Sequence, residues 1–298
     1  MIFNLALIAA FGYNGHFAIG NLTMSLLSSD MQTKVTQFLL NDDADTALGK
    51  PYEGSLGRAS SWADYIKRYQ EYQWTKPMHY FDTDDNPPDT CLFDLKDCKS
   101  GVYGCLMSSL QHFYSNLGTD IDPTDKGPTT VITAVQGLKF FVHLMQDLHQ
   151  PLHVCGKLRG GNDIQFRFGK KKANLHSIWD GLLINKRIQD DFQNMRQKWI
   201  KSMLVKAQNT TDICFGECQQ LHCTTSVVDC LNTWGKWINA LNCKSVWKTE
   251  PTLQSNQYTL KETDLSGEYY VNNMPLLEDL IIAAAIRTAD LITKALSK

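Results

Sequence analysis

No run in this 298-residue chain stays apolar for the length of a membrane span. The C-terminal stretch from Leu276 to Leu296 is interrupted by Glu278, Asp279, Arg287 and Asp290, and it reads as an amphipathic helix. Net charge is also scarce: a formal balance of −2 excludes attraction to nucleic acid through bulk positive charge. Any phosphate-bearing ligand would therefore need a local positive centre. Neither an internal repeat nor an interdomain linker is found. One domain is expected, although the chain exceeds the usual single-domain length.

Cysteine, by contrast, is plentiful at nine residues. Cys91, Cys98, Cys105, Cys214, Cys218, Cys223, Cys230 and Cys243 lie in loop-like or polar stretches, as the disulfides of an exported protein do. The odd count leaves one thiol over, and Cys155 is the candidate. Spacings of four, five and seven residues from Cys214 to Cys230 do not suit a zinc ribbon, so disulfides are expected there too. Met1 to Ala10 form a short apolar leader ending in small residues. Residues 1–10 are therefore expected to be a signal peptide and 11–298 the mature domain. Sequons at Asn21 and Asn209 agree with export, and the expected compartment is secreted or lumenal, including lysosome-like endomembrane space.

Helical periodicity dominates the rest. Helices are expected near 15–30, 30–40, 58–72, 102–116, 129–150, 174–189, 190–207, 225–242 and 275–296. Asp163 to Phe168 alternates like a strand, followed by a turn at Gly169 and solvated Lys170 to Lys172. Asp82 to Cys105, rich in Pro, Asp and Cys, reads as a long stapled loop. The fold class is mainly α: one compact helical domain with a short β-hairpin and disulfide-stapled loops.

The chemistry resides in histidine and aspartate. His143 and Asp147 are four residues apart on one expected helix and share a face. His149 and His153 follow, with Pro151 redirecting the chain between them. His176 and Asp180 repeat the four-residue spacing on the next helix. Upstream stand His16, Asp64 and His79. Two such pairs plus His153, flanking one short strand, favour metal ligation over isolated core histidines. Imidazole with carboxylate favours zinc over the all-oxygen shells of calcium and magnesium.

This pattern resembles the zinc-dependent single-strand nucleases and 3′-nucleotidases, which share a superfamily with zinc phospholipase C. The resemblance runs from Phe11 onward, through Ser61-Trp62-Ala63-Asp64, Asp85-Asn86-Pro87-Pro88, His149-Gln150-Pro151-Leu152-His153, Gly160-Gly161-Asn162, Asn174-Leu175-His176 and Trp179-Asp180. It implies a helical nuclease fold and a trinuclear zinc site. Asp64, His79, His143 and Asp147 would hold one ion, and His153, His176 and Asp180 a second. A third would take His16, a shared Asp147, and the amino nitrogen and carbonyl oxygen of Phe11 once the leader is cut after Ala10. Three zinc ions against Asp64, Asp147 and Asp180 would leave a cationic pocket.

The implied reaction is in-line attack of a metal-activated water on phosphorus, with the 3′ oxygen leaving and 5′ phosphates as products. Asp147 and Lys67 are its catalytic candidates, Lys67 standing where the family carries an arginine. Tyr80 would stack on a base, Asp82 would accept a hydrogen bond from it, and Asn162 would assist. Two further departures are Phe11 in place of Trp and Lys171 in place of a second stacking aromatic. The resemblance also implies a Cys98–Cys105 disulfide and a link from Cys91 to a distant C-terminal cysteine that the sequence leaves open. The expected partners are single-stranded DNA and RNA and 3′-nucleotides; no protein partner is inferred. The alternative is a phospholipase C cleaving lipid headgroup phosphodiesters on the same metals, against which Tyr80 and Asp82 argue.

Overall fold

The computed structural model describes residues 11–40, 52–99, 101–124, 127–215, 217–248 and 263–297. The expected leader lies outside the described residues. Helices dominate: α1 (Gly12–Leu26), α2 (Ser29–Leu40), α3 (Leu56–Ala59), α4 (Trp62–Ile66), α5 (Leu106–Ser115) and α6 (Ala134–Leu148). They are followed by α7 (175–192), α8 (Arg196–Gln208), α9 (Val227–Leu241) and α10 (Glu268–Leu296).

Central among them is α6. Thr133 and Gln136 form a reciprocal capping box at its start, and every residue from Val135 to Leu148 is buried. A helix buried on every face lies inside the bundle, and α4, α5 and α10 pack around it. Helix α10 lies along α1 and is buried over most of its length. Full burial of each large apolar side chain contributes about 1.5–3 kcal/mol. Helix α10 begins at Glu268, earlier than expected, and runs through Pro275. The proline removes an amide that would bond to the carbonyl of Val271, and Val271 sits on the exposed face where water can take over.

The helix expected over 58–72 is instead broken into α3, α4 and a 3-10 helix, Gln70–His79. The break at Ser60 has a physical reason: the Ser60 carbonyl accepts a hydrogen bond from His143 Nδ1 at 2.7 Å rather than from a helical amide.

The expected hairpin is present. Strand β1 (Gln165–Phe168) pairs antiparallel with β2 (Lys171–Asn174), Phe168 opposite Lys171 and Gln165 opposite Asn174. Lys171 and Lys172 thus belong to a strand, not to the turn, which reduces to Gly169 and Lys170. A second hairpin, β3 (Asp212–Phe215) with β4 (Glu217–Gln220), was not expected. Its strands are too short and polar to show alternation, and the Cys214–Cys218 disulfide ties them together.

Three more disulfides, Cys98–Cys105, Cys223–Cys230 and Cys91–Cys243, staple the loops, and Cys155 is free and buried. Cys91–Cys243 spans 152 residues, a loop whose closure restricts the unfolded chain by about 5 kcal/mol. No described helix is long and apolar enough to cross a membrane.

Candidate metal centre

Helix α6 ends at Leu148, and Pro151 opens a 3-10 turn, Pro151–Val154, capped by the Gln150 side chain. This turn swings His153 back beside Asp147, leaving His153 Nδ1 4.0 Å from Asp147 Oδ1. From the far side, Asn174 caps α7 by accepting from Ser177 N. Helix α7 then widens into a π turn, Ile178–Leu182, which carries Asp180. Helix α1 contributes His16, α4 Asp64, and the end of the 3-10 helix His79.

These side chains meet in three groups able to hold metal ions, the first two sharing His143: His16, His143 and Asp147; Asp64, His79 and His143; His153, His176 and Asp180. All are buried. Asp147 Oδ2 lies 2.9 Å from His79 Nδ1 and 3.2 Å from His143 Nε2, and its Oδ1 lies 3.7 Å from His16 Nε2. His16 Nε2 is 3.5 Å from Asp64 Oδ2. His176 Nε2 is 3.3 Å from Asp180 Oδ2, and the His153 and His176 rings stack at 4.9 Å.

The donor set fits metal by its unsatisfied atoms. His16 Nε2, Asp64 Oδ2, His79 Nε2, Asp147 Oδ1, His153 Nε2 and Asp180 Oδ2 are buried without a hydrogen-bond partner. Such burial is costly unless another charge compensates. Four of the rings are already oriented through Nδ1, which donates to Gln146 Oε1 (His16, 2.5 Å), Ser60 O (His143, 2.7 Å), His79 O (His153, 2.6 Å) and Gly160 O (His176, 2.7 Å). Each bond fixes a tautomer whose Nε2 lone pair faces the cluster, as in metal-bound imidazoles.

Electrostatics agree. Burial, then His143, lowers His16 to about 4; burial, then Lys67, lowers His79 to about 4; burial lowers His153 to about 3. These rings are neutral at pH 7, the form in which imidazole can bind a metal ion. Burial alone would raise Asp64, but Lys67 and the surrounding imidazoles hold its carboxyl below the ordinary range. Burial pushes Asp180 up to about 6, the clearest sign of a carboxylate short of positive charge.

Tyr80 and Asp82 project outward on one side of an extended segment, while Phe81 and Thr83 point inward. Tyr80 is 37% exposed, which removes the core-aromatic alternative. Lys67 Nζ sits 2.5 Å from Asp64 Oδ1 with its side chain 25% exposed, while Arg68 packs on the Tyr65 ring. Asn162 donates to Arg159 O at 2.8 Å and accepts from Asn174 at 3.4 Å. Phe11 is fully buried, its ring edge-on to His16 with centroids 6.4 Å apart. Lys171 is exposed on β2. Asn209 is exposed, whereas Asn21 is half-buried with its amide bonded to Phe17 O. His149 faces away from the cluster, donating to Met145 O and accepting from Arg287 Nη1 at 3.0 Å.

Four supporting residues were not anticipated. Gln146 holds His16 and donates to Ser60 Oγ at 3.1 Å; Gln150 donates to Asp180 Oδ1 at 2.6 Å and accepts from Leu152 N. Ser60 and Gly160 contribute backbone carbonyls. Gly160 has φ +60°, and a Cβ there would meet Leu152 O at 2.3 Å, so only glycine fits. Gln150 and Gly160 stand inside motifs that carry the resemblance, and the four-residue spacing of Gln146 and Gln150 beside His143 and Asp147 was a further signal.

The helical, disulfide-stapled domain is thus built around a buried histidine–aspartate centre suited to metal. The family model described as S1/P1 Nuclease matches residues 11–297, and the chain belongs to that family. Nuclease S1 of Aspergillus oryzae is 27% identical over 93% of this chain and 89% of its own length. Endonuclease 4 of Arabidopsis thaliana is 25% identical over 96% and 89%. Nuclease P1 of Penicillium citrinum is 26% identical over 84% and 88%.

Proposed function

We propose that this chain is an exported endonuclease and 3′-nucleotidase that hydrolyses P–O3′ bonds of single-stranded DNA and RNA, leaving 5′ phosphates. The observation that carries the reading is the outward pairing of Tyr80 and Asp82 immediately after His79: a stacking surface and an acceptor for a base beside a centre suited to metal. The nuclease names of its relatives and the four disulfides support it.

Asp64, His79, His143 and Asp147 would hold one zinc ion, His153, His176 and Asp180 a second, and His16 with Asp147 and the main chain of Phe11 a third. When bound, zinc supplies Lewis acidity toward phosphoryl oxygen and makes water acidic enough to attack phosphorus near neutral pH. Asp147 joins the groups around it, so its carboxylate sets the separation at which they act. Lys67, ion-paired with Asp64 and partly exposed, turns its ammonium to a phosphate oxygen as a point charge, without the two-pronged grip of an arginine. Tyr80 offers a π face that any base can use, and Asp82 accepts from the base edge, with Asn162 alongside.

The test compares release of acid-soluble nucleotides from single-stranded DNA with release of diacylglycerol from lecithin. Nucleotide release is expected; cleavage of lipid alone would end the nuclease reading.

A further inference from the structure

We propose that Arg159 positions substrate by pairing with a phosphodiester of the single strand other than the one being cleaved, an inference that rests on the nuclease reading above. From Leu158 to Gly161 the backbone turns left-handed: φ is 49° at Leu158, 55° at Arg159, 60° at Gly160 and 77° at Gly161. Glycine adopts this region freely, whereas in leucine and arginine the Cβ crowds the following carbonyl. Adjacent non-glycine residues persist there only where their surroundings impose it, and they gather at ligand clamps.

Here the surroundings are the site itself. The Arg159 carbonyl accepts from the Asn162 amide, and the next carbonyl, Gly160 O, holds His176 Nδ1 at 2.7 Å. The left-handed turn thus fixes a metal-group histidine and, in the same stroke, aims Arg159 outward. Its side chain is 78% exposed and ion-paired at 3.2 Å with Asp163, itself 39% exposed. Such a surface pair contributes little and yields to a better anion. The cation therefore stands beside Asn162 at the rim of the His153, His176 and Asp180 group, where a strand continuing past the cleaved bond brings further phosphates. A guanidinium matches two phosphate oxygens with parallel donors.

The test uses the metal-loaded full chain with Arg159→Ala, which removes the cation, and Arg159→Gly, which also relieves the backbone. kcat/KM is measured on a single-stranded oligodeoxynucleotide and on a 3′-nucleoside monophosphate. In both variants the oligonucleotide-to-mononucleotide ratio should fall roughly fivefold. The slope of log kcat/KM against log salt on the oligonucleotide should become shallower by about 0.7. Arg159→Gly should melt no lower than Arg159→Ala. Lys201→Ala, an exposed charge on α8, serves as the control that leaves the ratio in place. An unmoved ratio and slope in both Arg159 variants overturns the proposal, as does a lower melting temperature for the glycine variant. Wild type that cleaves neither substrate brings down the nuclease reading itself, a result distinct from cleavage of both with an unmoved ratio.

Discussion

His153 and His79 are locked together through the main chain. The His153 ring donates from Nδ1 to the His79 carbonyl at 2.6 Å, and the Phe81 amide donates to the His153 carbonyl at 2.7 Å. Residues 74 positions apart therefore share one rigid frame, and the two sides of the centre cannot shift independently. Asp147 lies inside that frame, within 4.0 Å of His16, His79, His143 and His153.

Asp147→Ala should abolish turnover and lower the metal content. Losing a group that acts as part of a unit costs far more than one hydrogen bond, and a loss of at least about a thousandfold in kcat is expected. Steady-state kinetics with a metal count on the same sample checks this; near-normal turnover would sink the proposed role.

Gln150→Leu should loosen the ion expected at His153, His176 and Asp180, and Gln146→Leu the ion expected beside His16. Partners of this kind typically alter metal affinity about 10- to 100-fold. Competitive titration against a chelator reads each loss separately. If both substitutions weaken the same ion, the assignment of one glutamine to each side is wrong.

Export should remove residues 1–10, so that Phe11 becomes the mature N-terminus five positions before His16. N-terminal sequencing paired with metal analysis is the measurement. A mature chain beginning elsewhere should lack the ion assigned to His16 and Phe11, and a full complement in that chain would remove Phe11 from the ligand set.

Cys155 should not react with iodoacetamide in the folded protein at pH 8. Burial, then Asp85, raises its thiol far above the usual range, and only the thiolate is nucleophilic. One alkylated cysteine per chain should appear after unfolding without reductant, and none before. Rapid labelling of the native chain would contradict its burial.

Much of the centre was legible because ligand spacing on a helix is local. His143 with Asp147 and His176 with Asp180 declare a shared face by their four-residue interval alone, and Pro151 announces the turn that redirects His153. The chain also declared its helical class, its disulfide chemistry and the leftover Cys155 through periodicity and cysteine count. What tertiary structure decided lies in contacts that no local pattern encodes. Ser60 breaks an expected helix because its carbonyl is needed by His143, 83 residues away; Gln146 reaches His16 across 130 residues. The partner of Cys91, the outward face of Tyr80 and the left-handed turn at Arg159 belong to the same class. Helical periodicity reports which residues share a face, whereas hydrogen bonds and charge compensation depend on which faces meet, and only the folded chain brings them together.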